Sequence, residues 1–426
     1  MTVTQRETSH APTPSPDTDA PVGVWLNGAR GSVATTAITG LLALRAGMAD
    51  STGCVTDTGM LRDAPLASWN DLVVGGHDIV DTPLEKKAES LVDSGVIPAP
   101  VLAAVRGSLP EVEQNLRTGY DARTETAPLA EVVDRLAGDI EEFRSRYGLS
   151  RVVVINVSST EPPADHRPEY DDLDALTRAM ADPDDKALPA SSVVAYAAFQ
   201  AGCGFVDFTP STGARLPALE MMAQRERVPF AGSDGKTGET LLRTALAPMF
   251  TSRALHVLSW AGVNLLGGGD GATLEDPRNA RSKLSSKSGV LPALLGEDVT
   301  APLHIDNVPD LGDHKTAWDH VSFEGFLGVR MSMQLTWSGV DSTLAAPLVL
   351  DLARLTAAAH RAGHVGPIEE LGFFFKDPIG TDEHALAEQA QALASWANGL
   401  DGRAGSLHSY RPTARHPPEQ GDRMSL

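Results

Sequence analysis

Residues 22–32, VGVWLNGARGS, decide the fold together with the run VATTAITGLLALRAG that follows them. A short apolar run that meets two glycines and then a helical pattern is typical of a strand, a glycine turn and a helix. Such a turn lets backbone approach a ligand closely and places helix amides near a phosphate. It therefore predicts a pyrophosphate site for a dinucleotide, with contacts from Gly28, Ala29, Arg30, Gly31 and Ser32.

The glycine turn matches the dinucleotide pattern only in part. The full pattern has three glycines, and Leu26 stands where the first would be, so a tight βα turn without a ligand is an equal alternative. Asp57 and Asp78 are both candidates for the ribose contact, and their spacing does not decide between them. We include Asp78 in the predicted cofactor site, together with Ser158 after the apolar run 151–157.

Further apolar runs at 151–157, 204–208 and 228–232 alternate with helical patterns. This alternation predicts an α/β fold with a parallel sheet and helices on both faces. From about Leu241 the runs ALHVLSWAGVNLL and FLGVRMSMQLTW are longer, with loops rich in Gly, Asp, Ser and Lys, which indicates a second, mixed sheet. Residues 344–363 and 384–400 return to helical patterns. We find no internal repeat and no apolar run of membrane-spanning length.

The length of 426 residues suits two domains, one of which can be an insertion in the other. A formal net charge of −21 opposes nonspecific binding to nucleic acid or anionic membrane, so a phosphate ligand needs a local basic site. Cys54 and Cys203 are the only cysteines, which excludes a disulfide framework and fits the cytoplasm. Residues 1–21 predict a disordered arm and residues 402–426 a flexible tail.

Lysine is scarce in this chain, with eight residues against twenty-seven arginines. Arginine keeps its proton, whereas the pKa of a lysine falls readily on burial, so lysine can transfer protons or hold an oxyanion. Five of the eight lysines fall inside polar motifs, which indicates that they transfer protons or bind anions. These five are Lys236, Lys283, Lys287, Lys315 and Lys376.

Residues 233–240, SDGKTGET, follow a predicted strand and open a helix. The amides of 238–240, the hydroxyls of Thr237 and Thr240 and the ammonium of Lys236 can together hold a phosphate monoester. The alternative is a capped helix start that binds nothing.

Three more polar motifs carry the other four of these five lysines. Lys283 and Lys287 share one helical face after the run GGGDG at 267–271, and their mutual repulsion lowers the pKa of one of them. A flexible surface loop is the alternative reading. GDHKT at 312–316 is placed in a loop, where His314 is either catalytic beside Lys315 or, as is more common for a lone loop histidine, incidental. We interpret 373–375 as the end of an aromatic strand that buries Lys376.

As a group, these motifs resemble the inositol-3-phosphate synthase family, also called the myo-inositol-1-phosphate synthase family, over about residues 22–378. AGSDGKTGET is similar to the family's AGDD-K-S-G-Q-T, and NLLGGGDG with RSKLSSKS is similar to N-x-L-G-N-N-D-G with R-S-K-x-x-S-K-S. GDHKTAWD and DSTLAAPLVLDL resemble GD-S-K-V-A-x-D and DSLLAAPLIIDL. The intervals also agree, with thirteen residues from Asp270 to Lys283 and twenty-six from Lys315 to Asp341.

The resemblance implies an NAD-binding Rossmann domain formed by residues 22–240 and 344–401, with an inserted α+β catalytic and oligomerisation domain at 241–343. It also implies a homotetramer and a redox-neutral cyclisation of a hexose 6-phosphate. Tightly bound NAD oxidises C5, the ketone acidifies C6, the enolate attacks the carbonyl carbon, and NADH reduces the ketone again.

The resemblance assigns roles by position. Lys283 and Lys376 stabilise and protonate the C5 oxygen. Lys287 lies beside the phosphate and the reacting carbonyl, and Lys315 binds phosphate or an oxyanion. The remaining assignments are Asp270 and Asp341 to orient the lysines, Asp234 at the nicotinamide, and Thr237, Gly238, Glu239, Thr240 and Asn264 at the phosphate.

Departures from the family pattern bear on the substrate. Gly268 and Gly269 stand where the family has asparagines, and Glu239 replaces a glutamine. An ionised Glu239 repels phosphate unless it is turned away or bridged by a cation, and a divalent or monovalent cation stays open. We expect conversion of glucose 6-phosphate to 1D-myo-inositol 3-phosphate. The alternatives are a five-membered cyclitol phosphate from fructose 6-phosphate, as in carbocyclic nucleoside pathways, an NADH-releasing dehydrogenase and a non-catalytic sugar-phosphate sensor.

Overall fold

The computed structural model describes residues 20–267, 278 and 289–402 of the chain. The disordered arm predicted for 1–21 and the tail predicted for 402–426 lie almost wholly outside these residues. The described strands are β1 (Val22–Asn27), β2 (Leu72–Asp78), β3 (Leu116–Thr118), β4 (Arg151–Asn156), β5 (Gly204–Asp207), β6 (Pro229–Gly232), β7 (His256–Leu266), β8 (Leu303–Asn307), β9 (His314–Glu324), β10 (Arg330–Val340) and β11 (Gly366–Pro367).

Helices connect these strands and cover their faces. The described helices are α1 (Ser32–Arg45), α2 (Leu84–Asp93), α3 (Ala99–Val105), α4 (Leu109–Glu113), α5 (Leu129–Tyr147), α6 (Leu173–Met180), α7 (Ala190–Gln200), α8 (Pro217–Glu226), α9 (Gly238–Ser252), α10 (Val290–Leu295), α11 (Asp341–Arg361) and α12 (Leu386–Ala397).

The first sheet is parallel throughout its described strands, in the order β11-β6-β5-β4-β1-β2-β3. The predicted strands β1, β4, β5 and β6 are confirmed, and so is the α/β class. The chain moves outward from β1 to β3 and then restarts at β4 on the other side of β1. Loops therefore diverge at the carboxyl ends of β1 and β4, which is where open parallel sheets bind ligands.

Strand β2 was not predicted, because Gly75 and Gly76 interrupt its apolar pattern. Both glycines serve close packing. A Cβ at Gly75 would lie 2.7 Å from the Trp25 ring, and one at Gly76 would lie 2.3 Å from the backbone oxygen of Leu26. The glycines thus let β1 and β2 pack where a side chain would collide.

Helix α11 packs against α1 and the sheet, and its residues from Val349 to Ala359 are buried. The expectation that no apolar run has membrane-spanning length is corrected here, because α11 is long and apolar enough to cross a membrane. However, 78% of its apolar window is buried inside the fold, as in a core helix. The helix begins at Asp341, so the predicted border at 343/344 falls within it. The border at 240/241 likewise falls within α9, and both helices join the two sheets.

The second sheet has the order β10-β9-β7-β8, with β7 and β8 parallel and the other described pairs antiparallel. This confirms the mixed sheet. The placement of GDHKT in a loop is wrong, because β9 begins at His314 and continues to Glu324. A small separate core fills the space between this sheet and helices α9 and α10. It includes Phe250, Trp260, Leu291 and Val321.

The aromatic strand predicted to end at Lys376 is also wrong. Residues Glu369–Phe374 form a 3-10 helix, and Phe375 makes an isolated antiparallel bridge with Gly235. The segment does not join a sheet because it pairs with the loop after β6.

Candidate active site

Gly28 brings the carboxyl ends of β1 and β4 together. Its φ of +88° is unfavourable for other residues, and a Cβ there would lie 2.8 Å from the Cα of Ser158. Gly28 thus lies close to the backbone of Ser158, another predicted cofactor residue, and its predicted approach to a ligand stays a prediction.

The amides of the glycine turn are used within the protein. Those of Gly28 and Ala29 donate to the His77 oxygen at 2.9 and 3.1 Å, and that of Gly31 donates to the Gly28 oxygen at 3.0 Å. The expectation that these amides face a phosphate is therefore corrected. Among the described residues no side chain caps α1, so the amides of its first turn from Ser32 onward are available for a phosphate.

The structure separates the two ribose candidates. Asp78 ends β2 beside the turn, and its Oδ2 accepts the amide of Arg30 at 2.7 Å. Asp57 instead accepts from the Trp69 indole at 2.9 Å and pairs with Arg354 at 2.8 Å. Asp57 thus fastens a loop to α11, and Asp78 is the acidic residue at the predicted cofactor edge.

A buried polar network runs along this edge and was missed by sequence reasoning. Asn156 accepts from Asn27 at 2.8 Å and from the Ser158 hydroxyl at 2.7 Å, and it donates to Asp207 at 3.1 Å. Burial raises the pKa of the Asp207 carboxyl to about 7. The sequence signal was a polar residue at the end of each of these apolar strands.

The loop after β6 is held by backbone pairing with residues 374–377. The Ser233 amide donates to the Asp377 oxygen at 2.9 Å, and the Lys376 amide donates to the Asp234 oxygen at 2.8 Å. Gly235 packs under Phe208, where a Cβ would lie 2.1 Å from the ring. Residues 233–236 and 374–377, which are far apart in sequence, thus form one rigid unit, the loop pair.

Asp234 and Lys376 form a buried ion pair on this loop pair. The Lys376 Nζ lies 2.7 Å from the Asp234 Oδ1, and each side chain is 5% exposed. The burial expected for Lys376 is therefore observed. The structure brings the residue predicted at the nicotinamide into contact with one of the four predicted catalytic lysines.

A second ion pair, between Lys315 and Asp341, lies where α9 and α11 begin. The Lys315 Nζ lies 2.9 Å from the Asp341 Oδ2, and the Thr237 hydroxyl donates to the Asp341 Oδ1 at 3.4 Å. The Thr240 hydroxyl is buried and has no hydrogen-bond partner among the residues the structure describes. The predicted phosphate loop therefore combines a lysine, two threonines and the helix start that begins at Gly238.

Glu239 is turned away from the phosphate loop. Its carboxylate lies 2.6 Å from the Arg243 guanidinium and accepts from the Asn264 amide at 2.6 Å. Arg243 also contacts Asp319 at 2.9 Å, and burial raises the pKa of Asp319. The side chains of Glu239 and Asn264 thus bind each other, whereas the phosphate contact predicted for the Glu239 backbone amide stays a prediction.

Gly262 makes room for this charged cluster. A Cβ at Gly262 would lie 2.3 Å from the Arg243 guanidinium and 2.5 Å from the Glu239 carboxylate. Arg243 and Asp319 were missed by sequence reasoning, because nothing in composition separates this arginine from the others.

Lys236 points away from the phosphate loop. Its Nζ donates to the side-chain oxygen of Gln389 on α12, and burial lowers its pKa to about 7. The expectation that its ammonium holds phosphate is therefore corrected. The backbone pairing of the loop, in which the Lys236 amide donates to Phe374 at 2.7 Å, directs the side chain toward α12.

Part of the predicted site lies outside the described residues. This concerns Asp270, Lys283 and Lys287, and also Gly268 and Gly269. Within residues 20–267, 278 and 289–402, no three His, Cys, Asp or Glu side chains are grouped as metal ligands.

Two substitutions in the buried cluster of Glu239, Arg243 and Asp319 should differ in their effect on stability. Arg243→Ala removes a cation that two buried carboxylates contact and should lower the free energy of unfolding by about 3–5 kcal/mol. Glu239→Gln keeps an oxygen for Asn264 and leaves the Arg243 pair with Asp319, so it should cost less than half as much. Urea unfolding of both variants measures the difference. Equal losses would contradict this view of the cluster.

Known proteins with sequence similarity to the chain agree on one family. An NAD-binding family model described as myo-inositol-1-phosphate synthase matches residues 22–398. Inositol-3-phosphate synthase 1 of Bacteroides thetaiotaomicron is 34% identical over 393 residues, covering 85% of this chain and 90% of that protein. Inositol-3-phosphate synthase 1 of Homo sapiens is 29% identical over 346 residues, covering 74% of this chain and 61% of the human protein.

Solved structures show the same fold at lower identity. Inositol-3-phosphate synthase of Caenorhabditis elegans superposes with a TM-score of 0.80 at 23% identity, covering 93% of this chain and 90% of that one. A myo-inositol-1-phosphate synthase-related protein of Thermotoga maritima gives a TM-score of 0.71 at 23% identity, with 88% and 98% covered.

Proposed function

Because the chain belongs to the myo-inositol-1-phosphate synthase family, an enzyme family of the isomerase and cyclase type, we propose that it converts glucose 6-phosphate to 1D-myo-inositol 3-phosphate. The observation that carries this proposal is that Asp234, which pairs with Lys376, lies on the loop that leads to Thr237 and the start of α9. A proton-transfer group and an anion site thus share one rigid element.

NAD fits the carboxyl edge of the first sheet. Gly28 provides a cradle that a Cβ would fill, α1 begins without a side-chain cap from any described residue, and Asp78 and Ser158 flank the turn. When bound there, NAD supplies reversible oxidation of a sugar carbon. The residues of this edge bind and orient it.

The phosphate binds at the start of α9 in this proposal. The hydroxyls of Thr237 and Thr240 donate to it, and the helix N-terminus favours its negative charge. Lys315 adds a cation whose position is fixed by Asp341 at 2.9 Å. Because the whole protein is strongly acidic, these local groups supply the attraction that the overall charge does not.

Lys376 holds and moves the proton at the C5 oxygen. Asp234 orients the ammonium at 2.7 Å, and burial of both side chains excludes water from the transfer. Lys283 and Lys287 complete the proton-transfer set in this proposal, with Asp270 to orient them.

We favour glucose 6-phosphate over fructose 6-phosphate. Glu239 replaces a glutamine of the family, but Arg243 and Asn264 hold its carboxylate away from the loop, so this departure gives no reason to prefer fructose 6-phosphate. The phosphate site therefore keeps its attraction for an anion without a bridging cation.

Incubation of the purified protein with NAD and each hexose 6-phosphate tests this proposal. NMR of the product should show a six-membered inositol phosphate from glucose 6-phosphate, without a net rise at 340 nm, because NADH is consumed as it forms. A five-membered cyclitol from fructose 6-phosphate would support the alternative enzyme. A steady rise at 340 nm would support a dehydrogenase, and no cyclitol from either sugar would contradict both cyclases.

We also propose that the protein is a homotetramer assembled through the second sheet. Among the described strands β10 lies at the edge of its sheet, and the turn before it exposes Phe326 and Leu327 by 89% and 84%. Exposed apolar tips beside a free strand edge favour self-association. Light scattering should give a molar mass of four chains for the unaltered protein. The Phe326→Asp variant should give a lower molar mass, because it places a charge on the proposed contact surface. A monomer mass for the unaltered protein would contradict this proposal.

A further inference from the structure

We propose that Arg215 is a positioning residue for Lys376, acting as a clamp across the two segments that carry the Asp234 and Lys376 pair. This inference rests on the proposed function, because it assigns Lys376 to proton transfer. Arg215 belongs to the loop between β5 and α8, outside all the motifs that point to the activity.

The contacts of Arg215 straddle the ion pair. Its guanidinium donates to the Ser233 hydroxyl at 2.7 and 3.2 Å, and it lies 2.8 Å from the Asp377 carboxylate. It also donates to the Asp377 backbone oxygen. Ser233 directly precedes Asp234, and Asp377 directly follows Lys376, so one side chain holds the neighbours of both partners.

Arginine suits this task better than lysine. Its planar fork presents several donors in fixed directions, so it can bind two segments at once, whereas lysine offers a single ammonium. Arg215 is 25% exposed, and its charge faces a carboxylate that is 45% exposed. The clamp therefore works mainly through directed hydrogen bonds, because exposed ion pairs contribute little to stability.

The backbone of Arg215 is itself fixed to the buried network. Two residues earlier, Gly213 has a φ of +51°, and a Cβ there would lie 2.1 Å from the Asp207 carboxylate. The Gly213 amide donates to the Ser191 hydroxyl at 3.0 Å. Arg215 thus holds the paired segments 233–236 and 374–377 in a fixed position relative to the carboxyl end of β5.

Loss of the clamp should loosen Lys376 more than the phosphate site. Thr237, Thr240 and Lys315 lie beyond the clamped residues and are fixed by α9 and by Asp341. A displacement near 1 Å at a reacting group costs roughly 10²-fold in rate. We therefore expect a fall in kcat with little change in KM.

The test compares Arg215→Gln, Arg215→Lys and Arg215→Ala with the control Arg225→Gln. Arg225 lies on α8, is 54% exposed and pairs with its neighbour Glu226. We expect Arg215→Gln to lower kcat for glucose 6-phosphate roughly 10²-fold with KM within about twofold. Arg215→Lys should restore part of the rate. Guanidinium ion, far below unfolding concentrations, should partly rescue Arg215→Ala.

Hydrogen exchange gives a second readout that does not need turnover. Amides of residues 374–377 should exchange faster in Arg215→Gln than in the unaltered protein or in Arg225→Gln. Unchanged exchange would overturn the clamp, even if the protein lacked cyclase activity. If the unaltered protein is active, a rise in KM alone, or a kcat equal to that of Arg225→Gln, would also overturn it.

Discussion

The backbone pairing of residues 233–236 with residues 374–377 is the interaction on which the site depends. It joins the loop after β6 to a segment that follows α11, so that Asp234 and Lys376 meet although 142 positions separate them. The loop also lies between Phe208 and the start of α9. A single pairing thus fixes the ion pair and aims the phosphate loop.

Charge compensation is the second constraint on this site. The chain carries a net charge of −21, yet the site must attract an anion. Lys315 and Lys376 are each paired with a carboxylate, and Arg243 contacts both Glu239 and Asp319. Burying such pairs is costly unless the geometry is good, and removal of one partner is more costly still. The glycine at 262 and the fixed loop pair supply that geometry.

Much of the fold could be predicted because its strands are buried on both faces. Apolar runs gave β1, β4, β5 and β6, whereas β2 was hidden by Gly75 and Gly76, whose role is visible only against Trp25 and Leu26. β9 was hidden by its alternating polar residues, which suit a half-exposed strand between β7 and β10.

The site was predictable where residue choice is unusual. The scarcity of lysine pointed to Lys315 and Lys376, and each forms an ion pair with a carboxylate that the sequence also placed in the predicted site. Scarcity misled at Lys236, because tertiary pairing turns its side chain toward α12. Arg215 and Arg243 were invisible among twenty-seven arginines, since their roles arise from contacts with residues distant in sequence.

A double-mutant cycle on kcat with Lys376→Met and Asp234→Asn tests most directly whether these two residues act as one proton-transfer unit. If Asp234 acts by orienting Lys376, each single variant should lose most of the rate, and the double variant should lose little more. Circular dichroism of each variant establishes that the comparison is between folded proteins. Losses that multiply in the double variant would contradict a shared role.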